Sequence, residues 1–344
     1  MSGSFITVDG EKPAEQMGFT QTHEHILIDL KDVIKSLLEE ETEFIKDPIT
    51  LENHGDVVYK CFLYEENLYM SDKNVAIEEL KKFKEAGGDT IVDVTLKNIG
   101  RDPDILREIS VGSGVNIIMG SGYFMVAAWK EDEKKKTIQQ IAEEIIDEFS
   151  SGVGDTKIRP GVIGEIAIMD MNDPLEVKSL RASARAQKEI GCGLIIHPPI
   201  WEKEGHKILD ILGEEGIDFK RVILGHCDHD ASTIEAIDYF DSLAKRGVNL
   251  AYDGFGLDIM GAHGYFLPSD DQRIKMVMQH IERGNVDQLL LSQDTWLKIC
   301  FTKWGGWGYA HILEHIILRM KKAGITDEKL YKMTVENPCR ILCF

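Results

Sequence analysis

Short apolar, β-branched runs alternate along this chain with longer stretches whose apolar residues recur at helical spacing. The runs are TIVDVT (90–95), VNIIMGSG (115–122), GVIGEIAI (161–168), GLIIHP (193–198), RVILGHCD (221–228), VNLAYDGFG (248–256) and QLLLSQD (288–294); FTQTHEHILI (19–28) makes eight. Between them lie amphipathic stretches such as 74–88, 174–191 and 231–247, each closed by glycine, the second opened by Pro174. A proline start and a glycine stop mark helix ends, because proline needs no donor in the first turn and glycine tolerates the left-handed residue that ends it. Strand and helix alternating at intervals of roughly 25 to 40 residues predict right-handed βαβ units and a parallel sheet. Eight units favour an α/β fold closed as a (β/α)8 TIM barrel over an open doubly wound sheet. No G-x-G-x-x-G follows the first run, which argues against a dinucleotide fold.

The segment 29–72 is too long for an ordinary connection and is dotted with aromatics (Tyr59, Phe62, Tyr64, Tyr69). It reads as an elaborated, partly helical loop after strand 1, laid over one barrel face. No low-complexity tract or proline-rich linker divides the chain, so residues 1–344 are expected to form one domain.

Composition narrows the function. The length of 344 residues is normal for one such barrel, and 43% hydrophobic with 28% charged residues is a soluble globular mix. A net charge of −20 makes nucleic acid and anionic membrane surfaces poor partners, and an anionic substrate would need its own local Lys or Arg. No apolar run reaches the ~18 residues of a membrane span. The six cysteines form no C-x-x-C pair and no zinc-finger spacing, as expected of reduced thiols. MSGSFITVDG lacks a signal-peptide pattern, so the expected location is cytoplasmic.

Active sites of parallel barrels form where the strands end. His23 and His25 lie on the first strand, whose period of two points both imidazoles the same way; on a helix, positions i and i+2 diverge by about 200°. Glu165 lies on strand four, and His197, His226 and Asp294 end strands five, six and eight. Singly, each reads as a packed core residue or half of an ion pair. Together, four imidazoles and two carboxylates converging on one barrel mouth are costly to bury without a cation. Their chemistry suits Zn²⁺, with Mn²⁺ and Co²⁺ as alternatives. Glu24 alternates to the opposite side, toward the outer layer, and is not expected to be a ligand. His54, His206 and His280 fall outside the constellation. His311 and His315 are spaced i, i+4 but have no partner ligand. His229 is expected to support the ligands from behind, and His263 to lie near substrate.

GFTQTHEHIL, NIGRDP, GVIGEIAI, IIHPPI, RVILGHCD and LLLSQD resemble the phosphotriesterase-related family of the amidohydrolase superfamily, from about residue 5 to ENPCRIL. The resemblance implies a two-metal centre, usually zinc, with His23, His25 and Asp294 on the more buried ion and His197 and His226 on the more exposed one. The best-known members bridge the ions with a carboxylated lysine on strand four, where this chain has Glu165. The phosphotriesterase homology branch also has glutamate there, and Glu165 is expected to bridge. Lys97, ending strand two, is the other lysine considered for carboxylation. Relatives are often homodimers, and a homodimer is expected here.

The implied mechanism is attack by a hydroxide shared between the metals, with Asp294 as the proton acceptor. No Ser-centred G-x-S-x-G elbow competes with it. The expected substrate is a small carboxylic ester or lactone, a phosphorylated sugar lactone among the candidates. The alternatives are an amide or phosphotriester at the same centre, or a metal-holding barrel that binds without turnover. Arg273 and Lys298 are expected to meet an anionic group, and Tyr123 and Phe124 to line the pocket.

Overall fold

Residues 3–39, 41–199, 202–229, 234–261 and 264–344 are described by a computed structural model, the side chain of residue 234 excepted. Eight parallel strands form its sheet: β1 Thr20–Glu24, β2 Thr90–Asp93, β3 Asn116–Ser121, β4 Val162–Ala167, β5 Gly193–His197, β6 Val222–Leu224, β7 Asn249–Tyr252 and β8 Leu289–Leu291. They pair in chain order from β1 to β8. The seam between β8 and β1 is closed just past the end of β8. There Asp294 N donates to His23 O at 3.1 Å, and His23 N donates to Ser292 Oγ at 2.9 Å. The fold is the (β/α)8 barrel that the alternation predicts.

Helices run where the periodicity places them. Asp173 caps the helix Pro174–Ile190 by accepting from Leu175 N, and Gly191 ends it at φ 79°. Asp72 caps Lys73–Glu85 in the same way. The third predicted stretch is helical over Ile234–Ala244.

The barrel interior is an apolar plug. Val92, Ile118, Val162, Ile195, Ile223, Ala251 and Leu290, one from each of β2 to β8, join a single buried cluster. Phe5, from an antiparallel hairpin (Ser4–Thr7 with Gly10–Pro13), and Ile341 and Leu342, from the helix Asn337–Leu342, belong to the same cluster. Apolar side chains therefore fill the lower barrel, and polar groups are left to the strand ends.

The segment 29–72 folds back on itself: Ile28 and Asp29 pair antiparallel with Met70 and Tyr69. Between them lie the helices Lys31–Leu37 and His54–Tyr59. Among the described residues, no helix is long and apolar enough to cross a membrane.

Candidate metal centre

The period-two rule carries the apolar plug into the polar rim. Ile195 faces the interior, and His197, two residues on, ends the same strand face. Ala251 leads likewise to Asp253, and Leu290 leads through Ser292 to Asp294. Two ligand candidates break this parity. Glu165 falls where the β4–β5 register shifts between Ile163 and Ile166, and His226 has a left-handed φ of 56°. Such irregularities re-aim a side chain, and left-handed backbone at a non-glycine residue is held only where the surroundings over-determine it. Asp294 has φ 49°, and the β1–β2 register shifts between Gln21 and Glu24, around His23.

All six expected ligands meet. Glu165 Oε1 lies 2.9 Å from His197 Nδ1, 2.9 Å from His226 Nε2 and 3.2 Å from His23 Nε2. Asp294 Oδ1 lies 3.4 Å from His25 Nε2 and 3.7 Å from His23 Nε2. His197 Nδ1 and His226 Nε2 approach to 2.8 Å. Five of the six are buried and His197 is nearly so.

Groups that the strand-end reading passed over hold this cluster. Asp253 ties two imidazoles together, 3.0 Å from His23 Nδ1 and 3.1 Å from His226 Nδ1, and also accepts from His226 N. Its position two residues beyond Ala251 was the available signal. Thr95 Oγ1 lies 2.8 Å from His25 Nδ1. Glu24 is no ligand, as expected, but it is fully buried and accepts from Ser292 Oγ, Gln293 N and Thr295 N.

The electrostatics follow from burial opposed by neighbours of opposite charge. Burial disfavours charging His23, but Glu165 and then Asp253 outweigh it and raise its pKa well above that of free imidazole. On the same balance, with Asp253 foremost among the carboxylates, His226 is pushed up to about 10. Burial would raise Glu165 and Asp253, yet the surrounding imidazoles hold both well below the usual carboxylate range. Burial and the adjacent His226 lower His197. A divalent cation would compensate these carboxylates in place of protons, since ligating imidazoles are deprotonated. The donors fit such a cation. His23, His25 and Asp294, and likewise His23, Glu165 and His226, offer ligand atoms within 4.8 Å of one another. His23 Nε2 and His197 Nε2 are buried without a hydrogen-bond partner. Imidazole and carboxylate suit Zn²⁺ and its first-row neighbours.

The expected substrate contacts fall elsewhere. Arg273 is fully buried, with Nε 3.0 Å from Asp228 Oδ2, so it braces the loops after β6 and β7 rather than meeting substrate. Lys298 pairs with Glu66 at 3.0 Å. Tyr123 donates to Glu144 Oε2 at 2.7 Å and lies under Lys97 Nζ, 3.7 Å from the ring centre, away from the cavity. Gly122, at φ 125°, precedes it and shifts the alternation, so that Phe124 and Met125 line the cavity instead. Lys97 is engaged by Glu133 and Glu144, which leaves it no place among the ligands. His311 pairs with Asp270 at 2.8 Å and stacks on Trp307. His229 reaches both the cavity and Asp228. His263 lies outside the described residues.

Above the cluster opens a cavity of about 340 Å³, within the roughly 300–1,000 Å³ range of small-molecule sites. His25, Glu165, His197, His226 and Asp294 face it. A second cavity of about 220 Å³, lined by Glu79, Lys82 and Thr302 among others, touches none of the six.

The chain is similar to known proteins along nearly its whole length. An N-acetyltaurine hydrolase from Dictyostelium discoideum is 34% identical over 366 residues, covering 99% of this chain and 98% of its own. The crystal structure of a resiniferatoxin-binding protein from Rhodobacter sphaeroides is 34% identical with a TM-score of 0.91, over 99% of this chain and 95% of its own. A variant of a PTE-like lactonase from Deinococcus radiodurans is 27% identical with a TM-score of 0.76, over 98% and 99% respectively. The description of the phosphotriesterase family matches residues 3–342, a span that holds all eight strands and the whole cluster. The chain belongs to the phosphotriesterase family.

Proposed function

We propose that this protein is a metal-dependent hydrolase that cleaves a small carboxylic amide. One observation carries the reading: Asp294 lies on the cavity floor within 3.4 Å of His25 Nε2, beside donors that fit a divalent cation. The N-acetyltaurine hydrolase relative, matched over nearly its full length, supports an amide ahead of the ester or lactone expected from sequence. Two divalent ions, zinc foremost, belong to the proposal; His23, His25, Glu165, His197, His226 and Asp294 would hold them.

Bound cations supply a hydroxide nucleophile at neutral pH and polarise the scissile carbonyl. The chain's own residues do the rest. Asp294 accepts the proton given up by the attacking water and returns it to the leaving nitrogen. The carbonyl carbon gains the water oxygen, the C–N bond breaks, and a carboxylate and an amine leave. Asp253 and Thr95 fix the orientation of the imidazoles through their far nitrogens.

A second reading, lactone hydrolysis, uses the same atoms and is supported by the Deinococcus relative. A barrel that binds without turnover has no need of Asp294 as a base. Metal-loaded protein offered N-acyl amines, lactones and phosphotriesters, with amine release or acid production followed, decides among them. Amine release is the expected outcome. Cleavage of lactones alone would establish the second reading, and no turnover of any class would favour the binder.

A further inference from the structure

The wall of the substrate cavity is hydrocarbon. Leu30, Val33, Ile34 and Leu37 recur at spacings of 3, 1 and 3, the apolar stripe of the helix Lys31–Leu37, and all four line it. Leu37 stands exposed, while Leu30, Val33 and Ile34 are buried in the main apolar core and give the cavity its wall. Phe62 and Trp296, their rings 5.7 Å apart, line it as well.

No lysine or arginine lines this cavity among the described residues, and none of the residues outside them is a lysine or arginine. Arg273, Lys298 and Lys97 are each held by carboxylates. Lys203, next to the rim, lies 5.9 Å from the Tyr239 ring centre. Among the described residues, the titratable side chains on the lining beyond the metal ligands are His229, which pairs with Asp228, and Glu202, an exposed carboxylate.

From this we infer that the substrate's distal part, beyond the scissile bond, is uncharged and apolar. The inference rests on the amide reading above and sharpens it. A taurine amide ends in a sulfonate. In this cavity that anion would face hydrocarbon and Glu202 with no lysine or arginine beside it, and its lost hydration would be poorly replaced. An alkyl or aryl group would gain by the same burial. The charge of any bound cation is centred at the ligands, where the carbonyl sits, so it does not serve the far end of the substrate. This chain therefore departs in specificity from the taurine-amide hydrolase it resembles.

The test compares N-acetyltaurine with the analogue in which a tert-butyl group replaces the sulfonate. With metal-loaded protein, kcat/KM should favour the tert-butyl analogue by about tenfold or more. Leu37→Arg places a cation at the mouth, at a residue already 60% exposed, and should move that ratio by about tenfold toward the sulfonate. Equal or better cleavage of N-acetyltaurine by the unaltered protein overturns the inference and leaves the amide reading standing. If neither amide is cleaved, the amide reading fails, and calorimetric titration of each amide into the metal-loaded protein still decides the specificity. Tighter binding of the tert-butyl analogue supports the apolar assignment, and equal or tighter binding of the sulfonate overturns it.

Discussion

Glu24 grips the backbone on both sides of Asp294: its Oε1 accepts from Gln293 N at 2.7 Å and its Oε2 from Thr295 N at 2.9 Å. Glu24 sits between His23 and His25, so one strand end presents two ligands to the metal cluster and a clamp for a third on its other face. Glu24→Gln keeps the shape but turns an NH2 toward a backbone donor. Leaving that donor unpaired should cost about 1–3 kcal/mol of stability. A displaced Asp294 should lower kcat by up to about 100-fold. Denaturant unfolding and steady-state kinetics would check both, and unchanged kcat would show that Asp294 holds its place without the clamp.

Asp294→Asn should lower kcat by about 100-fold or more while KM changes little, because the amide cannot accept the proton. A kcat near that of the unaltered protein would remove Asp294 as the proton acceptor.

Metal content separates the ligands from their supports. Glu165→Ala should lower bound metal and activity together, and an unchanged stoichiometry would take Glu165 out of the ligand set. Asp253→Asn leaves the ligands in place but loosens His23 and His226, and should weaken metal binding about 10- to 100-fold. Chelator competition reads that affinity; no change would show that the two imidazoles need no tether.

His280 should impose an acid limit on stability. Burial first, and the Arg283 charge second, depress its pKa to about 4. Its Nδ1 faces Asn285 Nδ2 at 3.2 Å, while buried Nε2 has no partner. Between pH ~6.5 and ~4 the unfolded chain takes a proton on this residue that the folded one refuses, so its contribution to stability falls as pH falls through that window. The full effect is about 3 kcal/mol below the window and absent above it. His280→Gln should flatten the pH dependence of unfolding there, and an identical slope in the variant would show that His280 titrates normally.

The barrel and most of its centre were legible because both follow from local rules. Alternating runs specify strands, proline and glycine mark helix ends, and period two brings His197 and Asp294 to the rim above the apolar plug. Glu165 and His226 were legible as residue types but not by direction, since a register shift and a left-handed φ aim them inward. Asp253 was missed because a strand-end aspartate shows its role only when His23 and His226 come beside it.

The sequence by itself determined the fold class and the six candidate donors, which depend on spacing along one chain, and its motifs carried the resemblance to the family. Tertiary structure alone decided how charge is distributed around the substrate. Arg273 lies next to Asp228 only after the barrel closes, and that pairing keeps it off the cavity lining. The stripe from Leu30 to Leu37 reads as an ordinary helix face until folding makes it part of the wall of the cavity that the metal ligands also line. Side-chain pairing across distant loops, invisible to periodicity, turned an expected cationic pocket into an apolar one.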